Sequence, residues 1–214
     1  MTVTLYSAAQ NSAGERVRIA LNLKGVAYDY VPMATLSRAE RRARNPQGLM
    51  PTLQVGDAYI TQSLAALEYI AAELPGPPLL PPDPVLAAQS RSVALAVCAE
   101  MHAITVRRVR RYLADEMQQD DTAIAAWYAH WTAKTFAALE LQLAPHHRPG
   151  AFAFADYPTF ADIALVPQMA NARRFDCALD PYPTLQQIEA ACTALPAFQA
   201  AQPARQPDYS APPG

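Results

Sequence analysis

Pro75-Gly76-Pro77-Pro78-Leu79-Leu80-Pro81-Pro82-Asp83-Pro84 places six prolines within ten residues. Proline fixes φ and lacks an N–H, so this stretch is neither a helix nor a paired strand. It reads as an extended linker between two folding units. Upstream, strand and helix signals alternate. Val3-Thr4-Leu5-Tyr6 is a short β-type run, and residues 13–24 carry Val17, Ala20 and Leu21 at helical spacing, closed by Gly25. Tyr28-Asp29-Tyr30-Val31 alternates as a strand, and residues 37–44 are polar and helix-compatible up to Asn45-Pro46. Thr52-Leu53-Gln54-Val55, the turn Gly56-Asp57 and Ala58-Tyr59-Ile60 read as a hairpin. Residues 63–74 then form a helix with Leu64, Leu67, Ile70 and Ala71 on one face. The order is β-α-β-α-β-β-α.

Downstream of the linker there is no strand signal longer than a few residues. Residues 85–117 read as one long helix and 122–143 as another, with Trp127, Trp131 and Phe136 expected in the core. Thr159 with Asp162 three positions on has the form of a capping box. The helix it opens runs toward Arg173, and residues 185–192 form a further short one. The expected class is α/β plus all-α. Residues 1–76 form the mixed unit, 77–83 the linker, and 84–214 an all-helical unit ending in a proline-rich tail.

The whole chain sets outer bounds on function. Its 214 residues are 51% hydrophobic and only 17% charged, enough apolar material for a core. A formal net charge of −2 argues against nucleic-acid partners held by counterion release. No apolar run reaches the roughly 18 residues that cross a bilayer, and the N-terminus lacks a secretory pattern, so no membrane role is expected. Cys98, Cys177 and Cys192 have no CxxC spacing and fit the reducing cytoplasm. No glycine-rich phosphate loop is present. His146 and His147 lack the companions of a zinc site, so no metal is expected.

Specific stretches sharpen the layout. Arg16-Val17-Arg18-Ile19-Ala20-Leu21-Asn22-Leu23-Lys24-Gly25, Asn45-Pro46-Gln47-Gly48-Leu49-Met50-Pro51-Thr52-Leu53 and Gln62-Ser63-Leu64-Ala65-Ala66-Leu67-Glu68-Tyr69 closely resemble the zeta-class glutathione transferases. These are the maleylacetoacetate and maleylpyruvate isomerases. Ala161-Asp162-Ile163-Ala164-Leu165-Val166-Pro167-Gln168, Asn171-Ala172-Arg173-Arg174-Phe175 and Asp180-Pro181-Tyr182-Pro183-Thr184 continue the resemblance, in order, over nearly the whole chain. The resemblance implies the cytosolic glutathione transferase fold: a thioredoxin-like βαβαββα domain followed by the helical domain. It also implies glutathione as cofactor and a homodimeric assembly.

Several residue roles follow from that resemblance. Met50-Pro51 resembles the family's cis-proline corner, where the residue before proline pairs its backbone with the cysteinyl part of glutathione. Gln62-Ser63 resembles the motif that receives the γ-glutamyl carboxylate, although Ser63 also reads as a plain helix N-cap. The thiol-activating loop departs from the family, which normally presents two adjacent serines and often a cysteine. Aligned on Arg16, Asn11 stands where the first serine donates to the thiolate, Ser12 matches the second, and Ala13 replaces the cysteine. A donor from Asn11 or Ser12, together with a helix N-terminus, lowers a thiol pKa. The competing reading is that either residue only caps the first helix. A redox mechanism through a protein thiol is disfavoured, because the loop has no cysteine.

Two other family contacts are altered: Leu36 stands where glutamine or histidine is frequent, and Val106 where asparagine is typical. His102 is either a glutathione contact or a packed helix residue. The family substrates are small di-acids with a cis double bond, and cations must grip their carboxylates. Arg174 matches a family arginine near the substrate, and Arg107 and Arg108 lie in the helix expected to face it. Arg110 and Arg111 follow on the same segment, and a solvated helix face is the alternative for all four. Arg38, Arg41, Arg42 and Arg44 read as solvated. The function implied is a glutathione-dependent cis–trans isomerase of maleylacetoacetate- or maleylpyruvate-type di-acids in aromatic-compound breakdown. The alternatives are a general glutathione transferase for small electrophiles and a non-catalytic glutathione-binding protein.

Overall fold

The computed structural model describes residues 2–145 and 151–210. His146 and His147 therefore lie outside the described residues. The chain divides into two compact units, residues 80–192 forming one and everything else the other.

The first unit is built on a four-stranded sheet in the order β2-β1-β3-β4. β1 (Val3–Ser7) pairs in parallel with β2 (Asp29–Pro32), Leu5 opposite Tyr30. A parallel pair needs a crossover, and α1 (Ser12–Lys24) supplies it. Gly25 ends α1 at φ 66°, the left-handed conformation that glycine adopts without penalty. α2 (Arg38–Arg44) opens with a reciprocal capping box between Ser37 and Glu40. β3 (Thr52–Val55) and β4 (Ala58–Thr61) form the expected hairpin, Val55 opposite Ala58, and α3 (Ser63–Glu73) follows. On α3 the fully buried positions are Ser63, Ala66, Leu67 and Ile70, whereas Leu64 and Ala71 are half-buried. α1 is buried almost all round, Arg16 and Arg18 included.

The basic residues of α2 divide. Arg38 and Arg42 are exposed as expected. Arg41 instead folds back, donating to the Leu36 carbonyl at 2.9 Å, and Arg44 stacks 4.9 Å from the Tyr6 ring centroid.

The second unit contains only helices among its described regular elements. The single long helix expected over 85–117 is broken. α4 (Pro84–Leu95), capped by Asp83, runs into a π-helical stretch Ala96–His102 and the short α5 (Ala103–Thr105). Val106 is extended at ψ 158°, and α6 (Arg107–Asp115) starts anew. π-helical turns and extended residues re-aim the side chains that follow, which a 3.6-residue pattern cannot register. α7 (Asp121–Leu143) buries Tyr128, Thr132, Phe136, Leu139 and Leu143. Phe136 is core as expected, but Trp127 and Trp131 are half-buried, paired edge-to-face at 5.7 Å. Trp127 needs an acceptor for its indole N–H and finds it in the Ile104 carbonyl at 2.9 Å. α8 (Phe160–Arg174) is almost wholly buried along its first two-thirds, and α9 (Pro183–Thr193) follows. Asp162, completely buried, accepts from Thr159 N, Thr159 Oγ1 and Ala153 N at 2.7–2.9 Å. The expected capping box is therefore also a knot tying in the preceding loop.

The division at the C-terminus corrects the sequence reading, which left the tail with the helical unit. The described residues from Thr193 on belong to the first unit. α10 (Pro196–Ala201) packs on α1, where Arg18 Nε donates to the Ala201 carbonyl at 2.8 Å. Further on, Asp208 accepts from Ala9 N at 3.1 Å and from the Tyr30 hydroxyl at 2.9 Å. Buried Arg18 has N–H donors to satisfy, and part of what satisfies them comes from the end of the chain.

Candidate functional site

In the first unit the candidate residues collect at one end of the sheet. Tyr6 pairs with Thr52, and Thr52 with Thr61. Continuing that register sets Ser7, Pro51 and Gln62 side by side at the edge of the ladder. The Met50-Pro51 bond is cis, as the resemblance implied. Met50 thus lies just beyond the last pairing of β3, and α1 and α3 both begin at this end.

Asn11 is the N-cap of α1: its Oδ1 accepts from Gly14 N at 2.6 Å. Gly14 is required for that approach, since a Cβ there would lie 1.8 Å from Ser7 Oγ and 2.9 Å from Asn11 Oδ1. The cap consumes the acceptor end of the amide and leaves the NH₂ end, a pure donor. Capping and donation to an anion are therefore compatible functions of this one side chain. Ser12 is buried in the first turn, whereas Asn11 is half-exposed.

Gln62, not Ser63, occupies the N-cap position of α3, which corrects the reading of Ser63 as the cap. Gln62 sits at φ 70°, an uncommon conformation for a residue with a side chain. Its amide donates to Gln47 Oε1 at 3.0 Å. Ser63 is the first helical residue, and Arg16 Nη1 lies 3.4 Å from its hydroxyl oxygen. The guanidinium is 1% exposed, and its Nε and Nη2 have no hydrogen-bond partner. A buried cation behind Ser63 at a helix N-terminus favours an anion there. Glutathione, which carries carboxylates, fits that demand. Next to Arg16, burial holds the Glu15 carboxyl at a pKa of about 7 against the pull of Arg18 and Arg16. Below that pH Glu15 does not neutralise its neighbours.

In the second unit, Arg107 opens α6 and Arg174 ends α8. The Arg110 guanidinium lies 4.4 Å from the Phe175 ring centroid and that of Arg174 5.0 Å from it, and the Tyr128 ring centroid is 4.1 Å away. Burial lowers the Arg110 pKa; Tyr128 opposes the shift, and Arg174 and Arg107 add to it. None of these three arginines has a carboxylate partner among the described residues, whereas neighbouring Arg173 forms a bidentate ion pair with Glu189. Arg107 and Arg174, both exposed, thus each lie near enough to Arg110 to act on its charge. Arg108 is exposed and is not among the charges bearing on Arg110. His102 is half-buried at the end of the π-helical stretch, and Leu36 and Val106 are half-buried.

Arg16 escaped the sequence reading, and Arg110 was left there between a substrate contact and a solvated face. A helical arginine is ordinarily taken as solvated, and burial of Arg16 has no signature in spacing. The four-arginine run was the available signal for Arg110, but only the break at Val106 decides which way α6 faces.

Comparison with known proteins places the fold in a family. Residues 1–72 match the family described as glutathione S-transferase, N-terminal domain. A maleylpyruvate isomerase from a Ralstonia species is 41% identical over 209 residues, covering 95% of this chain and 98% of that protein. The holo structure of a maleylpyruvate isomerase, described as a bacterial glutathione S-transferase of the zeta class, superimposes with a TM-score of 0.91 at 39% identity, covering 97% of this chain and all of that one. A maleylacetoacetate isomerase from Anaeromyxobacter dehalogenans, with dicarboxyethyl glutathione and citrate bound in its active site, aligns at 37% identity and a TM-score of 0.86, covering 99% of this chain and 95% of that one. With its mixed sheet, its helical second unit and relatives of this identity along nearly its full length, the chain belongs to the glutathione transferases, in the zeta class of maleylacetoacetate and maleylpyruvate isomerases.

Proposed function

We propose that this protein is a glutathione-dependent cis–trans isomerase of small di-acids of the maleylpyruvate or maleylacetoacetate type. The observation that carries this reading is the placement of Arg174 and Arg107 each near Arg110, with no acidic partner for any of the three among the described residues. A transferase for apolar electrophiles has no use for uncompensated cations, whereas a di-acid supplies their counter-charge. The ligand in the Anaeromyxobacter relative, by its name, joins glutathione to two carboxylates.

The first unit supplies the thiol environment. Asn11 donates an amide N–H to the sulfur while capping α1, and the positive end of that helix stabilises the same charge. Ser12, buried beside it, holds the first turn. The Met50 main chain, set by the cis bond to Pro51, pairs with the cysteinyl segment. Gln62 and Ser63 receive the γ-glutamyl carboxylate, with Arg16 behind them and His102 as a further polar contact. When bound, glutathione supplies a thiol that adds reversibly across the cis double bond, so that the bond can rotate before the thiol leaves. Arg174 and Arg107, with Arg108 at the exposed flank, hold the substrate carboxylates and offset negative charge developing on the substrate. No protein cysteine is involved.

The test is to follow the cis-enedione absorbance of maleylpyruvate or maleylacetone with protein, with and without glutathione. Loss of absorbance only when glutathione is present is expected; no glutathione-dependent change at high protein concentration contradicts the reading. We further propose a cytoplasmic homodimer without nucleic-acid or membrane partners, for which light scattering should return twice the 23.2 kDa chain mass.

A further inference from the structure

We propose that Asp208 is a positioning residue for the thiol site: with Arg18 it ties the segment after α10 to the loop that carries Asn11, and so fixes where that side chain points. The inference rests on the reading of Asn11 as the thiol donor and adds to it the part of the fold that aims it.

The loop Ala8-Ala9-Gln10-Asn11 joins β1 to α1 and contains neither proline nor glycine, so no local turn chemistry dictates its path. Its contacts do. Ala9, 4% exposed, donates its N–H to Asp208 Oδ2 at 3.1 Å, across 199 positions of sequence. The Ala9 carbonyl accepts from Arg18 Nη2 at 3.1 Å, and the Ala8 carbonyl from Nη1 at 3.3 Å. The third nitrogen, Nε, donates to the Ala201 carbonyl at the end of α10 at 2.8 Å. One fully buried, planar guanidinium thus bridges the loop and the C-terminal segment. Asp208 is held in turn, its Oδ1 accepting from the Tyr30 hydroxyl at 2.9 Å, on the strand paired with β1. Burial and then the bond to Asp208 push the Tyr30 pKa above its ordinary value, which keeps that hydroxyl a donor.

Both polar groups of the Ala9 main chain are therefore committed two residues before Asn11. Asn11 itself is extended, and its Oδ1 is fixed on Gly14 N. The cap pins one end of this corner, and Asp208 with Arg18 pins the other, which leaves the free NH₂ one direction. Precision of this kind matters, because a misplacement of about 1 Å can cost about 100-fold in rate. A segment that only covered apolar surface would have no need of a carboxylate on a loop amide. Asn22 makes the plainer kind of contact, donating to the Ala197 carbonyl at 2.9 Å near the other end of α1.

The test titrates the thiol of bound glutathione by ultraviolet absorbance and measures kinetics on maleylpyruvate for wild type, Asp208→Ala, Asp208→Asn and Asn22→Ala, with Tm for each. Asp208→Ala should raise the bound-thiol pKa by about 1 and lower kcat by about 10-fold, leaving KM for maleylpyruvate unchanged. Asp208→Asn keeps an oxygen for Ala9 N and a polar group for Tyr30, and should recover most of both effects. Asn22→Ala should lower Tm without moving the thiol pKa. An unchanged thiol pKa in Asp208→Ala, or an equal rise in Asn22→Ala, overturns the proposal and leaves the segment a purely structural role. Should Asp208→Ala fail to fold, Tyr30→Phe removes only one support of Asp208 and should shift the thiol pKa in the same direction; no shift overturns the proposal. Failure of the Asn11 reading shows separately, as a wild-type complex whose thiol titrates like free glutathione, and the proposal falls with it.

Discussion

Asn11 caps α1 through its Oδ1 and keeps its NH₂ group as a donor, so the proposed thiol contact and the cap use different ends of one amide. Because Oδ1 is committed to Gly14 N at 2.6 Å, an aspartate at the same place keeps the cap and removes the N–H. Asn11→Asp should therefore fold as well as wild type, yet raise the pKa of the bound glutathione thiol and lower kcat by about 100-fold or more. Asn11→Ala loses both functions and should also cost about 1 kcal/mol of stability. Ultraviolet titration of the thiol in the complex, alongside thermal unfolding, separates the two effects. If Asn11→Asp leaves the thiol pKa unchanged, Asn11 is only a cap.

Glu15 makes a prediction about pH. Its carboxyl is raised from 4.5 to about 7 by burial, with Arg18 and Arg16 pulling the other way. Between those values the folded protein holds a proton that the unfolded chain has released, so stability falls as pH rises through this window and levels off above it. The shift corresponds to about 3 kcal/mol. Glu15→Gln should flatten the profile, matching wild type near pH 4.5 and exceeding it at pH 8. A wild-type profile that rises between pH 5 and 7 would contradict this assignment. Asn11, Ser12 and Ser63 stand out in the sequence because small polar residues before a helical pattern signal a helix start. Arg16 does not, because its meaning lies in burial and in two unpartnered nitrogens.

At the scale of elements, the strands, the hairpin and the caps were legible because each has a local chemical cause. Gly25 ends α1, Ser37 with Glu40 opens α2, and Gly56-Asp57 turns the hairpin, all as the sequence reads. What failed was continuity. The apolar pattern of residues 85–117 carries on through the π-helical stretch and past Val106, since neither break needs a proline or glycine. The arginines of α6 consequently face a direction that spacing does not reveal. Asp162 is the element-scale counterpart of Asn11, a cap with no chemistry attached. Asp162→Ala would leave three buried donors unpaired and should destabilise the protein by about 3 kcal/mol or more. The bound-thiol pKa should not move, and a shift in it would mean that Asp162 acts on the site.

For the whole molecule, the chain divides at residues 79 and 80, within the proline-rich stretch at 75–84. The end of the chain does not respect the linear division, because the first unit needs α10 and Asp208 to satisfy Arg18, Ala9 and Tyr30. Such long-range demand is invisible to a reading that moves along the chain. The proposed function draws the thiol environment from one unit and the acid-binding groups from the other, so the decisive measurement concerns the reaction as a whole. It is a count of free thiol during turnover: protein, a small known amount of glutathione and a large excess of maleylpyruvate, with thiol assayed as the cis-enedione disappears. An isomerase regenerates its thiol, so many substrate molecules should be converted per glutathione while the thiol concentration stays constant. Loss of one thiol per substrate consumed, or no conversion at all, would contradict the account.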